Sequence, residues 1–323
     1  MCTAISMTVK DHYFGRNLDL EYSYKETVTV TPRNYPFLFR KAIPLQNHFA
    51  MIGIATVSQN YPLYYDATNE YGLSMAALNF PGNAFYYSEK TKTDNITPFE
   101  IIPWILCQCK HVQDAIPFLK KLNPVKIPFS AKFPLSPLHW ILSDSNESLV
   151  IESLKDGLYI HHNPVGVLTN NPPFDYHLYN LTNYINLTSD EPSNRFSKKI
   201  ELAAYSRGMG GIGLPGDLSS ASRFVRASFT KLNSKCDSNE EDAVTQFFHI
   251  LDSVAQTEGC VKVGSAYEKT VYTSCCNTEK GVYYYKTYSN SQINAVNLFH
   301  EDLDRKELIQ YPLRCKQQIR YEN

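Results

Sequence analysis

Long apolar runs are missing from this chain of 323 residues. Its most hydrophobic stretch, residues 101–107, is far short of the ~18 residues that a membrane-spanning helix needs. Charge of one sign is missing too. Lys and Arg total 31 against 32 Asp and Glu, a formal net charge of -1, which leaves no basic footprint for nucleic acid and no polybasic stretch for an anionic membrane. A neutral or small anionic partner suits this balance better. Polar Lys10 and Asp11 follow the start too closely for the apolar core of a signal peptide, so the expected location is cytoplasmic.

Cysteine is scarce. The eight cysteines, at positions 2, 107, 109, 236, 260, 275, 276 and 315, are too few for a disulfide scaffold in a chain of this size. None has zinc-site spacing, and apart from Cys2 they are expected to be small, reduced core residues. The nine histidines form no HExxH pattern, and the adjacent His161 and His162 face opposite ways on a strand, so no metal is expected. Gly208, Gly210 and Gly213 match GxGxxG by letter, but the turn residues Pro215 and Gly216 follow where a helix would have to open, and there is no GK[ST]. A nucleotide cofactor is therefore not expected; a closely packed or flexible loop is.

With 43% hydrophobic residues the chain can bury a full core, and no linker divides it, so one domain spanning 1–323 is expected. Two-residue alternation and apolar runs predict strands at 4–9, 13–16, 27–31, 50–57 and 72–78. Thr97 and Glu100 form a capping-box pattern before a helix at 101–109, and a second helix follows at 112–122 despite Pro117. Strands are then read at 138–142, 148–154, 158–161 and 165–169. Helices follow at 174–184, 220–232 and 243–255, the last capped by Ser238 with Glu241, and final strands at 270–277, 282–288 and 293–298. Strands, a helix pair, strands, a helix pair and strands again predict two facing sheets with helices outside, an α+β layered domain.

What the chain does contain is a cysteine at its second position. If Met1 is removed, Cys2 carries both a thiol nucleophile and an α-amine whose ordinary pKa of about 7.7–8.0 suits a general base. The hairpin of the first two strands returns Arg16 and Asp19 to its side, where a guanidinium favours thiolate and a carboxylate orients the proton carrier. Amide hydrolysis also needs oxyanion donors. Candidates are Asn79 in LNFPG, Asn170 and Asn171 in LTNNPPF, and Arg223 or Arg226 at the opening of a helix. An apolar cleft could form from Leu18, Leu20, Tyr22 and Tyr24 with Phe129, Phe133 and Leu135 in the proline-rich loop.

The opening MCTAI, then GRNLDLEYSY, LNFPGNA, PLHWILSD, VGVLTNNPPFDY, GGIGLPGDLSSASRF and the closing KGVYYYKTYSNSQINAV closely resemble the conjugated bile salt hydrolases of the choloylglycine hydrolase family, which also contains penicillin V acylases. The resemblance runs almost end to end. It implies the N-terminal-nucleophile hydrolase fold, a four-layer αββα sandwich of two antiparallel sheets, with homotetrameric assembly, no metal and no organic cofactor. It further implies hydrolysis of the amide joining a bile acid to glycine or taurine. Cys2 would be nucleophile and base, Arg16 and Asp19 its partners, Asn79 and Asn170 the oxyanion donors, and Arg223 the remaining active-site position. A penicillin V acylase is the nearest alternative, and a non-catalytic binder of sterol-like ligands a more distant one.

Overall fold

The computed structural model describes residues 1–323. Strands β1 (Cys2–Thr8) and β2 (His12–Leu20) form an antiparallel hairpin whose register sets Cys2 opposite Leu18 and Thr8 opposite His12. The chain continues through β3 (Thr27–Thr31), β4 (Met51–Ser58), β5 (Tyr61–Asn69) and β6 (Ser74–Asn79). Helices α1 (Ile101–Leu106) and α2 (Val112–Lys121) follow, flanked by the short parallel pair β7 (Asp94–Ile96) and β8 (Leu122–Pro124). A second run of strands comprises β9 (Leu138–Ser143), β10 (Ser148–Leu154), β11 (Gly157–His162) and β12 (Val167–Leu168). After α3 (Phe174–Asn180), α4 (Ser220–Asn233) and α5 (Glu240–Asp252), the chain ends in β13 (Val261–Val263), β14 (Ala266–Asn277), β15 (Val282–Thr287), β16 (Asn290–Asn297) and β17 (Ile309–Pro312).

Two antiparallel sheets result. One has the order β12-β1-β2-β14-β15-β16, with β13 on β14, and the other β11-β10-β9-β6-β5-β4-β3-β17. Helices α4 and α5 pack on the first, α1 on the second. One apolar core joins inward side chains of both sheets, such as Ala4, Ile54, Leu78 and Ile141, to Phe224, Phe247 and Leu251 of the outer helices. Another joins the far face of the second sheet, including Met75, Trp140 and Leu142, to Trp104, Ile105 and Leu119. The α+β sandwich of four layers, αββα, expected from the sequence is the observed architecture.

The hairpin is central, and its burial on both faces explains why β1 lacks a clean polar alternation: six of its seven residues are buried. Gly15 makes the next strand possible. A Cβ there would lie 2.0 Å from the carbonyl oxygen of Ser274 in β14. Helix α5 buries Val244, Phe247, Phe248 and Leu251 along one stripe, each worth roughly 1.5–3 kcal/mol of transfer free energy.

Several elements differ from the sequence reading. Strand β5 was not anticipated because Pro62 interrupts its pattern, and β7, β8, β13 and β17 are too short to be read from periodicity. The helix expected at 101–109 is shortened to Ile101–Leu106 behind a 3-10 turn, Pro98–Glu100. Residues 174–184 divide into α3 and a 3-10 turn. Asn239, not Ser238, caps α5: its side chain accepts from the Asp242 N–H at 2.9 Å, and three acidic residues fill the first turn. The GxGxxG segment is a tight 3-10 turn in which a Cβ on Gly210 would strike the Asp190 carbonyl. Of the seven cysteines assigned to the core, Cys236 is half-buried and Cys260 and Cys315 are exposed.

At the end of β2 away from Cys2, the His12 ring is buried between the hydroxyls of Thr8 (2.8 Å) and Ser143 (3.2 Å), and burial lowers its pKa to about 4. An unfolded histidine protonates near 6.5. The neutral native ring therefore contributes stability that is present above pH 6.5 and is lost as pH falls towards 4. His12→Gln is expected to flatten the stability curve between pH 6 and 4.5 by about 1 kcal/mol per pH unit, measured by urea unfolding across that range. Parallel curves for the two proteins would mean that the ring titrates in the native state as it does in the unfolded chain.

Candidate active site

Alternation along β2 divides its side chains between two faces. Arg16, Leu18 and Leu20 point to the second sheet, and Arg16 Nη1 donates to the carbonyls of Tyr65 (3.0 Å) and Ala77 (2.5 Å). Asn17 and Asp19 point to the helices: Asn17 Nδ2 donates to the Leu251 carbonyl at 2.8 Å, and Asp19 Oδ1 accepts from Thr270 Oγ1 at 2.6 Å. A bulge in β14 between Thr270 and Tyr272 shifts the register opposite Leu18 and Asp19, a common device for re-aiming a side chain beside a site.

Cys2 sits where the two faces meet. It is buried and lines a cavity between the sheets, while its backbone N–H donates to Asn170 Oδ1 at 2.8 Å. Its carbonyl accepts from Arg223 Nη1 at 2.6 Å, and the same nitrogen donates to Thr3 Oγ1 at 2.7 Å. Arg223 Nη2 donates to Asn170 Oδ1 at 2.7 Å, and Nε to the Leu218 carbonyl at 3.1 Å. Every polar group of Asn170 is engaged. Its N–H donates to Ser220 Oγ (2.8 Å), its carbonyl accepts from His177 Nε2 (3.0 Å), and its Nδ2 donates to the Asn79 carbonyl (2.7 Å).

Burial dominates the electrostatics. It raises the Asp19 carboxyl above the usual range against the pull of Arg223, and it lowers the Arg223 guanidinium. For Arg16, burial alone would lower the pKa, but the acidic groups packed around it, Cys2, Tyr272, Asp66 and Asp19, outweigh it, so the guanidinium stays fully charged. His177, desolvated beside Phe224, is pushed down to about 4 and remains a neutral ring. Two atoms beside Cys2 stand buried without a partner: Arg16 Nη2 and Asp19 Oδ2. The Met1 carbonyl accepts from the Asp19 N–H at 3.0 Å, and its amine donates to the Asp19 carbonyl at 2.9 Å and pairs with Glu268. Burial lowers the pKa of that amine.

The cavity, about 250 Å³, is lined by Cys2, Arg16, Leu18, Leu20, Tyr24, Asn79, Phe129, Phe133 and Leu135 among others. Of the residues read as a cleft, Tyr22 is absent from it. Tyr22 is more than half exposed and bonds the Tyr24 hydroxyl at 2.9 Å from outside, because alternation breaks where β2 ends at Leu20. The sequence reading also missed Leu63 and Tyr65 on β5 and Phe99 and Ile102 beside α1, which complete the walls. The alternation of Tyr61, Leu63 and Tyr65 was the available signal. Asn170 is placed with its side-chain oxygen facing the Cys2 nitrogen and one hydrogen of its amide group on the Asn79 carbonyl, which leaves the second amide hydrogen without a protein acceptor. Asn171 and Arg226 bond other carbonyls outside this group. No group of three or more His, Cys, Asp or Glu side chains is arranged to hold a metal ion.

A family profile described as linear amide C-N hydrolases, choloylglycine hydrolase family, matches residues 2–311. The chain is 58% identical over 319 residues to a bile salt hydrolase/transferase of Lactiplantibacillus plantarum, covering 98% of each. It is 38% identical to a bile salt hydrolase/transferase of Clostridium perfringens over 96% of each chain. The crystal structure of the C2A mutant of a conjugated bile acid hydrolase from Clostridium perfringens superposes over 100% of both chains with a TM-score of 0.93 at 37% identity.

Arg223→Lys tests the contacts around Cys2. A lysine keeps the charge but cannot reach the Cys2 carbonyl, Thr3 and Asn170 together. It is expected to lower stability in urea unfolding by roughly 2–3 kcal/mol, since two charge-assisted bonds to buried acceptors are lost. A variant as stable as the parent would remove Arg223 from the frame of the site.

Proposed function

The chain belongs to the choloylglycine hydrolase family of linear amide C-N hydrolases, and from that premise we propose that it cleaves the amide bond of glycine- or taurine-conjugated bile salts to free bile acid and amino acid. The observation that carries this reading is the position of Cys2, at the end of a largely apolar cavity with its nitrogen on Asn170 Oδ1. The apolar walls suit a sterol body and the buried cation Arg16 suits the polar end where the amide lies.

Catalysis begins after loss of Met1, because a peptide nitrogen is not basic. The free Cys2 amine is then held by Asn170 Oδ1, with the unpartnered Asp19 Oδ2 beside it as its counter-charge. The amine takes the thiol proton as Sγ attacks the carbonyl carbon. The C–S bond forms and the oxyanion is met by Asn79 from the cavity wall. The ammonium gives its proton to the departing amide nitrogen, the C–N bond breaks, and glycine or taurine leaves a thioester. The amine then deprotonates a water that attacks the thioester, releasing the bile acid and restoring the thiol. Arg16 Nη2, free of partners, stabilises the thiolate.

The same reading takes residues 1–323 as one domain, with Met1 removed on maturation. It sets the enzyme in the cytoplasm, where its eight unpaired thiols remain reduced; no helix is long and apolar enough to cross a membrane. It also carries a homotetramer, supported by the exposed Ile185, Phe196, Tyr205 and Ile212 between α3 and α4, which assembly would cover.

Three measurements test the reading. On one preparation, kcat/KM for glyco- and tauro-conjugated bile salts is expected to exceed that for penicillin V by a wide margin. A value for penicillin V equal to the best bile salt would favour the acylase alternative, and binding without turnover of any conjugate would favour the non-catalytic one. Intact mass of active protein is expected to lack Met1, and Asn79→Ala is expected to lower kcat by about 10²–10³. Full activity with Met1 retained would overturn the mechanism.

A further inference from the structure

A second polar pair lies behind the loop that carries Asn170. His139 on β9 and Glu152 on β10 are adjacent in the second sheet and both fully buried. His139 Nδ1 lies 3.0 Å from Glu152 Oε1, and Nε2 lies 3.0 Å from the Thr169 carbonyl oxygen. The Glu152 carboxylate also accepts the Phe174 N–H at 3.1 and 3.2 Å. Phe80, next to Asn79, stacks on the His139 ring at 4.1 Å with planes 6° apart.

Counting protons fixes what the pair does. A carbonyl oxygen only accepts, so His139 Nε2 carries hydrogen. The contact between Nδ1 and Oε1 then holds one further proton, as imidazolium with carboxylate or as imidazole with carboxylic acid. Each buried group thereby has a partner of complementary hydrogen-bonding character, and His161 Nε2 approaches the other carboxylate oxygen at 3.7 Å. The pair's outward bonds end on Thr169 and Phe174, the two ends of the segment that contains Asn170.

We propose that His139 and Glu152 are positioning residues that hold both ends of this segment, so that Asn170 Oδ1 stays aimed at the Cys2 nitrogen; the proposal rests on the catalytic role given above to that nitrogen. The pair touches neither the cavity nor Cys2. Its effect on turnover passes through Asn170, whose Nδ2 in turn holds the Asn79 carbonyl.

The test compares Glu152→Met, which keeps volume but forms no such bonds, with Glu152→Gln, which accepts from Phe174 and donates to His139 Nδ1. In Met1-free protein, Glu152→Met is expected to lower kcat for a glycine-conjugated bile salt 10–100-fold with KM within threefold, and Glu152→Gln to restore kcat to within threefold of the parent. With ¹⁵N-cysteine, the Cys2 amine titration is expected to move by half a pH unit or more in Glu152→Met and to stay with the parent in Glu152→Gln. This second readout needs no substrate, so a parent that fails to turn over the conjugate would refute the function without touching the positioning role. A folded Glu152→Met with parental kcat and amine titration would overturn the proposal, as would a rise in KM alone. If Glu152→Met fails to fold, Glu152→Gln decides: parental kcat and titration support the proposal, and a tenfold loss of kcat at unchanged melting temperature overturns it.

Discussion

One contact organises the molecule: the side-chain oxygen of Asn170 against the nitrogen of Cys2. The same oxygen accepts from Arg223 and the amide nitrogen donates to the Asn79 carbonyl, while the backbone of Asn170 is held by Ser220 and His177. Those partners come from β6, α3 and α4, so with β1 elements of both sheets and one helical layer are referenced to a single residue. A buried polar network of this kind is costly when incomplete and specifying when complete. The bonds that Asn170 and Arg223 make anchor the charged side chains around the thiol, while Arg16 Nη2 and Asp19 Oδ2 remain without a partner.

The second organising feature is the division of labour along β2. Two-residue alternation puts Arg16 and Leu18 on the cavity side and Asn17 and Asp19 on the helix side, so the groups that would contact a ligand and those that would manage a proton are separated by a sheet one residue thick. Cys2, at the start of β1, touches both regions. Its side chain belongs to one and its backbone nitrogen to the other, which is what a single residue acting as nucleophile and base needs.

Much of this was legible in the sequence. The strand TVTVT at 27–31 and the strand at 148–154 match their observed bounds residue for residue, because strict alternation or a bounded apolar run is a local signal. The hairpin geometry that brings Arg16 and Asp19 to Cys2 is equally local. Four kinds of feature were not legible. Pro62 hid β5 and with it two walls of the cavity. Tyr22 lies past the end of a strand, where alternation no longer predicts a face. Which of the two Asn170 amide atoms faces Cys2 is a fact of tertiary contact. His139 and Glu152 are polar residues within apolar strands and Thr270 lies in a polar stretch of β14, and nothing in their neighbours' identities announces that they meet partners up to 251 positions away.

That separation has a consequence for the order of events in synthesis. Strand β1 lies inside its sheet between β12 and β2, and β14, which pairs with β2 opposite Asp19, is made of residues 266–277. The edge of β2 therefore remains open until the ribosome has delivered more than four-fifths of the chain. The hairpin alone ties Met1 by backbone bonds to Asp19, and docking of β14 adds the pairing of its amine with Glu268. The proposed trimming of the first residue would then be easiest before β14 docks, since Glu268 is the last partner the Met1 amine acquires.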